Sequence, residues 1–447
     1  MTPAMDPQQR ALIVGLGRSG LSAARHLLRR GWQLAATDTR AAPPGLAEFR
    51  ELAPRATVRL AGLDVALLAG VALVVASPGV SLAEPLFVAA RALGIDVVGD
   101  IELFAREAQA PTVAITGTNG KSTVTTLVGR MAERAGWRVA VGGNLGTPAL
   151  DLLAADAPRL YVLELSSFQL ETTRSLRLVA GAVLNVTADH MDRYADLGAY
   201  AAAKARIFGH CGTAVINLDD PVVAALPPPG QPVQGFSLQA GRGAAYSLGE
   251  CNGAAWLMHG ARPLLAVAEL RIAGLHNAAN ALAALALGAA AGLPEAAMLE
   301  ELRAFPGLPH RSQWVRELRS VRYVDDSKGT NVGATLAAVA GLPGTLVLLA
   351  GGDGKSQDFS PLAAALRGRA RLAVLIGRDA RRLGAALAPA CPVHYSATLE
   401  DAVVAAAAAA RPGDTVLLSP ACASLDMFRD YAHRGAAFAA AVMGLPA

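Results

Sequence analysis

Short β-branched runs alternate with helical patterns along almost the whole chain, and that alternation restricts the fold more than any other feature. It is satisfied by parallel sheets with helices packed on their faces, an α/β class. Residues 11–14 read as a buried strand, 19–30 as a helix stopped by Gly31, and 33–37 as a second strand ending at Asp38. This is a Rossmann-type βαβ opening. The pattern restarts after the polar stretch 106–111 and again after the turn-rich Phe305-Pro306-Gly307-Leu308-Pro309. At about 150 residues per domain, 447 residues make three domains, and the breaks put them at 1–99, 100–306 and 307–447. Residues 226–232 and the stretch around Gly241 read as loops inside the second.

Glycine loops mark two of the strand-to-helix joins. Gly15-Leu16-Gly17-Arg18-Ser19-Gly20 follows the first strand and opens the first helix, with Asp38 about 20 residues further on. Its glycines permit a tight turn and let backbone N–H groups approach a diphosphate at the positive end of the helix dipole. By itself the motif suits a nicotinamide-dependent enzyme and a turn that binds something else equally well. The second loop, Gly117-Thr118-Asn119-Gly120-Lys121-Ser122-Thr123, opens a helix whose apolar face is Val124, Leu127, Val128, Met131 and Ala135. It carries the chemistry of a phosphate cradle: backbone donors, a lysine for the β/γ oxygens and a hydroxyl for Mg²⁺. Ile115 stands where the GxxxxGK[ST] spacing wants its first glycine, yet the strand–loop–helix setting points to a nucleoside triphosphate. Gly354-Lys355-Ser356 is a decoy. Its helix begins only at Ser360-Pro361, read as an N-cap and first-turn pair, so Lys355 projects from a loop and suits a substrate carboxylate better.

Residues 160–163 form a strand ending in Glu164, and an acid at that place beside a phosphate loop suits Mg²⁺. The strand 179–184 runs into Asn185-Val186-Thr187-Ala188-Asp189-His190-Met191-Asp192-Arg193-Tyr194, a crowd of ionisable groups at a strand end, where open α/β sheets bind ligands. Lys204 lies in a helix with little other charge. A lysine so placed ordinarily snorkels to solvent; if buried beside a metal site, its neutral amine could instead become a carbamate.

Composition closes off other classes. The chain is 53% apolar and 17% charged, as a globular protein should be, and its net charge of +4 is dispersed, without the basic patch that nucleic-acid binding needs. Cys211, Cys251, Cys391 and Cys422 have neither zinc-site spacing nor disulfide density, which favours a reducing cytoplasm. The uncharged run between Asp64 and Glu84 is broken by Ser77-Pro78-Gly79, and 281–293 is too short to span a bilayer. No secretory signal precedes Arg10, so no membrane association is expected.

Taken in order, GTNGKST, the run Leu163-Glu164-Leu165-Ser166-Ser167-Phe168-Gln169-Leu170-Glu171, the Asp189–Tyr194 loop, Lys204, Leu275-His276-Asn277 with Asn280, Pro309-His310-Arg311, Asp326-Ser327-Lys328, Gly351-Gly352-Asp353-Gly354-Lys355 and Ser419-Pro420-Ala421-Cys422-Ala423-Ser424 resemble the Mur ligases over essentially the whole chain. The SSFQLE and SPACAS segments resemble the branch that adds D-glutamate.

The resemblance implies an ATP-dependent amide ligase of peptidoglycan synthesis: a Rossmann-like UDP-sugar domain, a central P-loop-type ATPase domain and a Rossmann-like amino-acid domain. The partners it implies are UDP-N-acetylmuramoyl-L-alanine and D-glutamate, the cofactors ATP and two Mg²⁺ ions, and the state a monomer. Gly15, Leu16, Gly17, Asp38, Thr39, Arg40, Ser77, Gly79 and Asn144 would then hold the uridine nucleotide. Gly117 to Thr123, Asn277, Asn280, Arg311, Asp326 and Lys328 would hold ATP. By the same resemblance Ser122 and Glu164 serve one Mg²⁺, and His190 with a carbamylated Lys204 the other; Lys121, His190 and Lys204 form the catalytic set. Thr330, Lys355, Ser424 and Tyr431 would meet D-glutamate, although Tyr431 stands where the family has Phe. A nicotinamide dehydrogenase would leave GTNGKST and the His190 loop idle, and a non-catalytic nucleotide switch would leave the charges around His190 unexplained. The diaminopimelate- or lysine-adding ligase is the nearest competitor, but its Asp-Asn-Pro-Arg run is missing.

Overall fold

The computed structural model describes residues 9–153, 156–272 and 274–446. Three α/β units follow one another, each built on its own sheet. The first sheet has five parallel strands in the order Thr57–Leu60, Gln33–Asp38, Arg10–Val14, Leu73–Ala76, Asp96–Val98. Strand order reverses between Arg10–Val14 and Leu73–Ala76, so the loops after those strands leave side by side and open a crevice. Close approach there demands glycine. A Cβ on Gly15 would lie 2.7 Å from Ser77 Cβ, and one on Gly20 would lie 1.9 Å from the Gly15 carbonyl oxygen.

The second sheet has nine strands, with Thr112–Thr116 between Leu160–Glu164 and Leu178–Val183 at its own reversal point. The helix Lys121–Arg134 packs behind it against the helix Leu275–Ala290, whose Ala281 to Leu287 are all fully buried. The parallel strands run as far as Tyr246–Cys251, beyond which the sheet continues antiparallel through Ala254–His259 and Arg262–Ala266. Asn252 (φ 54°) and Gly253 (φ 75°) make the two-residue hairpin, the turn chemistry that Asn-Gly favours.

The third sheet has six strands in the order Gln313–Leu318, Val321–Asp325, Thr415–Leu418, Leu346–Gly351, Ala370–Ile376, Val393–Tyr395. Its first pair is an antiparallel hairpin turned by Arg319 (φ 52°) and Ser320 (φ 59°). The helix Ser360–Leu366 is capped by Phe359, not Ser360, because the Ser360 hydroxyl donates to Asp358 at 2.7 Å.

The first two sheets share one apolar core in which Phe104 meets Tyr161 edge-on, ring centres 5.0 Å apart. The third sheet packs separate cores on its two faces and meets the middle unit through polar bridges. Asn331 pairs with Asn119 and Asp189, and Lys355 with Asp189. Among the described residues no helix is long and apolar enough to cross a membrane.

Candidate active site

Three cavities lie in a row along the strand ends, each sharing walls with the next. The outermost, of about 540 Å³, opens at the reversal point of the first sheet between Gly15, Gly17, Asp38, Thr39, Arg40, Ser77 and Gly79 on one side and Asn144 on the other. Gly17 has open space where a side chain would stand. Asp38 is already engaged: it accepts the Leu16 N–H at 2.7 Å and the Arg40 side chain at 2.8–2.9 Å. Burial alone would raise its pKa, but these donors hold it down at about 2. Leu16 is fully buried and its N–H is given to Asp38, so, against expectation, it is not part of the cavity wall.

Pro78, Gly79 and Asn144 also line the central cavity, of about 330 Å³. Its floor is the phosphate loop. Gly120 adopts φ 84°, and a Cβ there would meet Asn280 Oδ1 at 2.4 Å. Asn185 clamps the loop, accepting the Asn119 N–H at 2.8 Å and donating to the Asn119 carbonyl at 3.1 Å. Lys121 Nζ folds back to donate to Gly117 O at 2.9 Å and Thr118 O at 2.8 Å. Lys204 Nζ donates to the same Gly117 oxygen at 2.9 Å from beneath the loop, 1% exposed. It does not snorkel. Burial and then Lys121 push its pKa well below the ordinary lysine value, which favours a neutral amine.

Glu164 Oε1 accepts from Asn144 at 2.5 Å, while Glu164 Oε2 is buried with no hydrogen-bond partner. A buried carboxylate oxygen left open beside Ser122 has the chemistry of a Mg²⁺ ligand. His190, left-handed at φ 58°, packs edge-on against Phe168, and burial pushes its pKa down to about 4. Its ring is therefore neutral near pH 7, with a lone pair to give a cation. Across the cavity Asp189 bonds Lys355 at 2.9 Å and Asn331 at 3.2 Å. Burial would raise the Asp189 pKa, but Lys355 and His190 bring it below the usual range. Lys355 thus points inward, as a carboxylate-binding lysine must.

Asn119, Gly120, Arg311 and Lys328 connect the central cavity to the third, of about 290 Å³. Thr123, His276, Asn277, Asn280 and Asp326 line it with apolar Phe236, Leu238, Ile272 and Leu308, a mixture suited to a nucleoside. Sequence reading missed these apolar walls because strand-end hydrophobes look like core. It also missed Asn185, Asp189 and Asn331 as clamps, since an asparagine pairing across domains leaves no local pattern. Asp326, bonded by Ser419 and Ser312, is raised to about 7 by burial. Thr330 reaches the central cavity; Ser424 and Tyr431 line none of the three. Ser424 is buried, and Tyr431 lies under Lys328, whose Nζ stands 3.7 Å from the ring centre.

Comparison with known proteins accounts for all three units. Residues 9–99 match the family model "Mur ligase MurD-like, N-terminal domain", 115–288 the "Mur ligase middle domain", and 310–422 the "Mur ligase, glutamate ligase domain". The chain belongs to the Mur ligase family. Among its Mur ligase relatives, a protein of Nitrosococcus oceani named UDP-N-acetylmuramoylalanine--D-glutamate ligase is 55% identical over 442 residues, 98% of each chain. The Pseudomonas aeruginosa protein of the same name is 54% identical over 435 residues, 96% of this chain and 97% of its own. In fold the chain is similar to UDP-N-acetylmuramate-alanine ligase of Thermotoga maritima (TM-score 0.62, 19% identity, 97% and 99% of the two chains). It is similar likewise to the MurF ligase of that organism solved with ADP (TM-score 0.60, 15% identity, 98% and 96%).

Lys328 supplies a pH test of this Mur ligase site. Burial, then Arg311 and Lys121, lower its pKa to about 8, so it loses a positive charge as pH rises through that value. ATP affinity measured by calorimetry should weaken by about tenfold above it, the worth of one charge-assisted contact. In Lys328→Arg the charge persists and the alkaline weakening should vanish; a flat profile in the parent protein would remove Lys328 from the nucleotide site.

Proposed function

We propose that the chain joins D-glutamate to the terminal carboxyl of UDP-N-acetylmuramoyl-L-alanine, driven by ATP, in peptidoglycan precursor synthesis. One observation carries the reading: a nucleotide-sized crevice, a phosphate-loop cavity and a nucleoside cavity share walls in series. The relatives' common name supplies the substrates. The uridine nucleotide occupies the first crevice, its muramoyl-alanine arm passes Gly79 and Asn144 into the central cavity, and ATP enters from the third. Domains at 1–99, 100–306 and 307–447 each contribute one sheet to this row. The family resemblance favours a monomer as the working unit. The dispersed charge and isolated cysteines favour the cytoplasm and no nucleic-acid or membrane partner.

A carboxylate is a poor electrophile at neutral pH. The substrate carboxylate oxygen therefore attacks the γ-phosphorus of ATP, ADP leaves, and an acyl phosphate forms. The D-glutamate amine then attacks the acyl carbon, its C–N bond forms as the C–O bond to phosphate breaks, and the amine gives up a proton. Lys121, Arg311 and Lys328 gather positive charge where anionic carboxylate and triphosphate must meet. Ser122 and Glu164 would hold one Mg²⁺, and His190 with a carbamylated Lys204 a second; bound there, the ions would neutralise phosphate oxygens. The open Glu164 oxygen, the neutral His190 and the depressed Lys204 fit that role. Thr330 and Lys355 receive D-glutamate, whose carboxylate replaces Asp189 on Lys355. Ser424 and Tyr431 stay behind the wall, and Tyr431 bears on the site through Lys328.

The reading is tested by phosphate release from ATP with UDP-N-acetylmuramoyl-L-alanine and one amino acid at a time. D-glutamate should support turnover, and L-glutamate, L-lysine and meso-diaminopimelate should not; turnover with diaminopimelate or lysine would overturn it. The two GKS triplets should separate in kinetics. Lys121→Ala should lower kcat by about 10² to 10³, whereas Lys355→Ala should chiefly raise KM for D-glutamate, and equal effects on ATP affinity would show the decoy misassigned. For Lys204, the carbamate would put a negative charge beside the metal, where an arginine would fix a positive one. Lys204→Arg should thus be at least as damaging as Lys204→Ala, and ¹³C-bicarbonate should give a carbamate carbon resonance in the parent protein alone. Full activity in Lys204→Arg would end the idea.

A further inference from the structure

Arg434, in the first turn of the helix Tyr431–Met443, is a buried cation outside all three cavities, 1% exposed. Among the described residues it has no carboxylate in ion-pair contact. Its guanidinium instead spends its donors on backbone carbonyls and one serine hydroxyl. Nε donates to Ser327 Oγ at 3.0 Å and Nη2 to Ser327 O at 2.9 Å. Both terminal nitrogens donate to Cys422 O at 3.2 Å, and Gly351 O stands 3.5 Å from Nη1.

These acceptors lie at the end of the strand Leu346–Gly351 and on the loops that leave its neighbours in the third sheet, Thr415–Leu418 and Val321–Asp325. Ser327 precedes Lys328 and Thr330; Gly351 precedes the turn to Lys355; Cys422 belongs to the SPACAS run. The loops need an outside tie because their backbones are in unusual conformations. Gly351 and Gly352 have φ of 120° and 127°, Ala421 has φ 57°, and Lys355 has φ 47°. Ala421 N–H donates to Gly329 O at 2.8 Å, a second link between the same two loops. The same helical turn also seats the His310 side: a Cβ on Gly435 would lie 2.2 Å from His310 Nδ1, which bonds Asp325 at 2.6 Å, and Arg311 follows directly.

We infer that Arg434 is a positioning residue, a planar five-donor fork that sets the Lys328, Thr330 and Lys355 loops in register so that the third sheet presents them to ATP and D-glutamate. The inference rests on the proposed function for the identity of those ligands. A fork is what the task requires, since a single ammonium cannot meet acceptors on separate loops in one plane. Burying the charge is tolerable because carbonyl dipoles and a hydroxyl surround it. Burial lowers its pKa to about 10, which leaves it charged at neutral pH.

The experiment compares Arg434→Lys and Arg434→Met with the parent enzyme, varying each substrate in turn and recording melting temperature. A displacement of about 1 Å can cost about 10²-fold, so Arg434→Met should lose about that factor in kcat/KM for D-glutamate. KM for the UDP-substrate, held by the first sheet, should stay within about twofold, and Arg434→Lys should recover part of the loss. A lower melting temperature with unchanged kcat and KM values would overturn the inference, leaving a purely structural arginine. If neither variant folds, Ser327→Ala removes one acceptor and leaves the guanidinium in place; it should raise KM for D-glutamate severalfold, and unchanged kinetics would overturn the inference equally. Failure of the underlying function would look different, because the parent enzyme itself would release no phosphate on adding D-glutamate.

Discussion

The burial of several cations around one cavity is the constraint on which the rest of this structure depends. Lys121, Arg311, Lys328 and Lys355 face one cavity whose described wall carries Glu164 and Asp189 as carboxylates. Burial first, and neighbouring positive charges second, lower the pKa values of Lys121, Lys204 and Lys328 as long as no anions arrive. The site is thus built for polyanions, a triphosphate and a carboxylate among them. Until these come, the cations rest on the protein: Lys121 on its own loop carbonyls, Lys355 on Asp189.

That arrangement explains how the third unit is attached. Its cores are its own, whereas the contacts beside the site are Asn119–Asn331, Asn331–Asp189 and Asp189–Lys355. Such polar links exchange readily with ligand groups of similar chemistry, unlike the continuous apolar core that joins the first two units. The acyl phosphate is hydrolysed if water reaches it, so a wall made of ligand-responsive contacts can close over the chemistry and open for product.

The first two sheets place their working loops at a reversal in strand order, where neighbouring loops of an open parallel sheet diverge and leave a crevice. Much of this was legible beforehand. GTNGKST, Glu164 and the His190 loop each end a recognisable strand, and a strand-to-helix join is decided by residues a few positions apart. The Asn252-Gly253 hairpin carried a readable signal as well, whereas Arg319-Ser320 takes the same left-handed turn without glycine or asparagine and carried none. The bond from the Leu16 N–H to Asp38 was not legible, because it depends on the proximity in space of residues 22 positions apart.

The sequence by itself determined the α/β class, the phosphate loop and the family, because strand runs, helical periodicity and glycine-dependent turns are local properties of the backbone. Tertiary structure decided what each ionisable group can do. Lys204 sits in an alanine-rich helical turn like any other, yet packing buries it under Gly117. Arg434 reads as one more helical arginine until three loops close on it. Tyr431 acquires its contact with Lys328 only when the last helix packs beside that loop. Burial, charge state and direction depend on which distant segments meet, and that is settled by the packing of whole sheets rather than by neighbours in the chain.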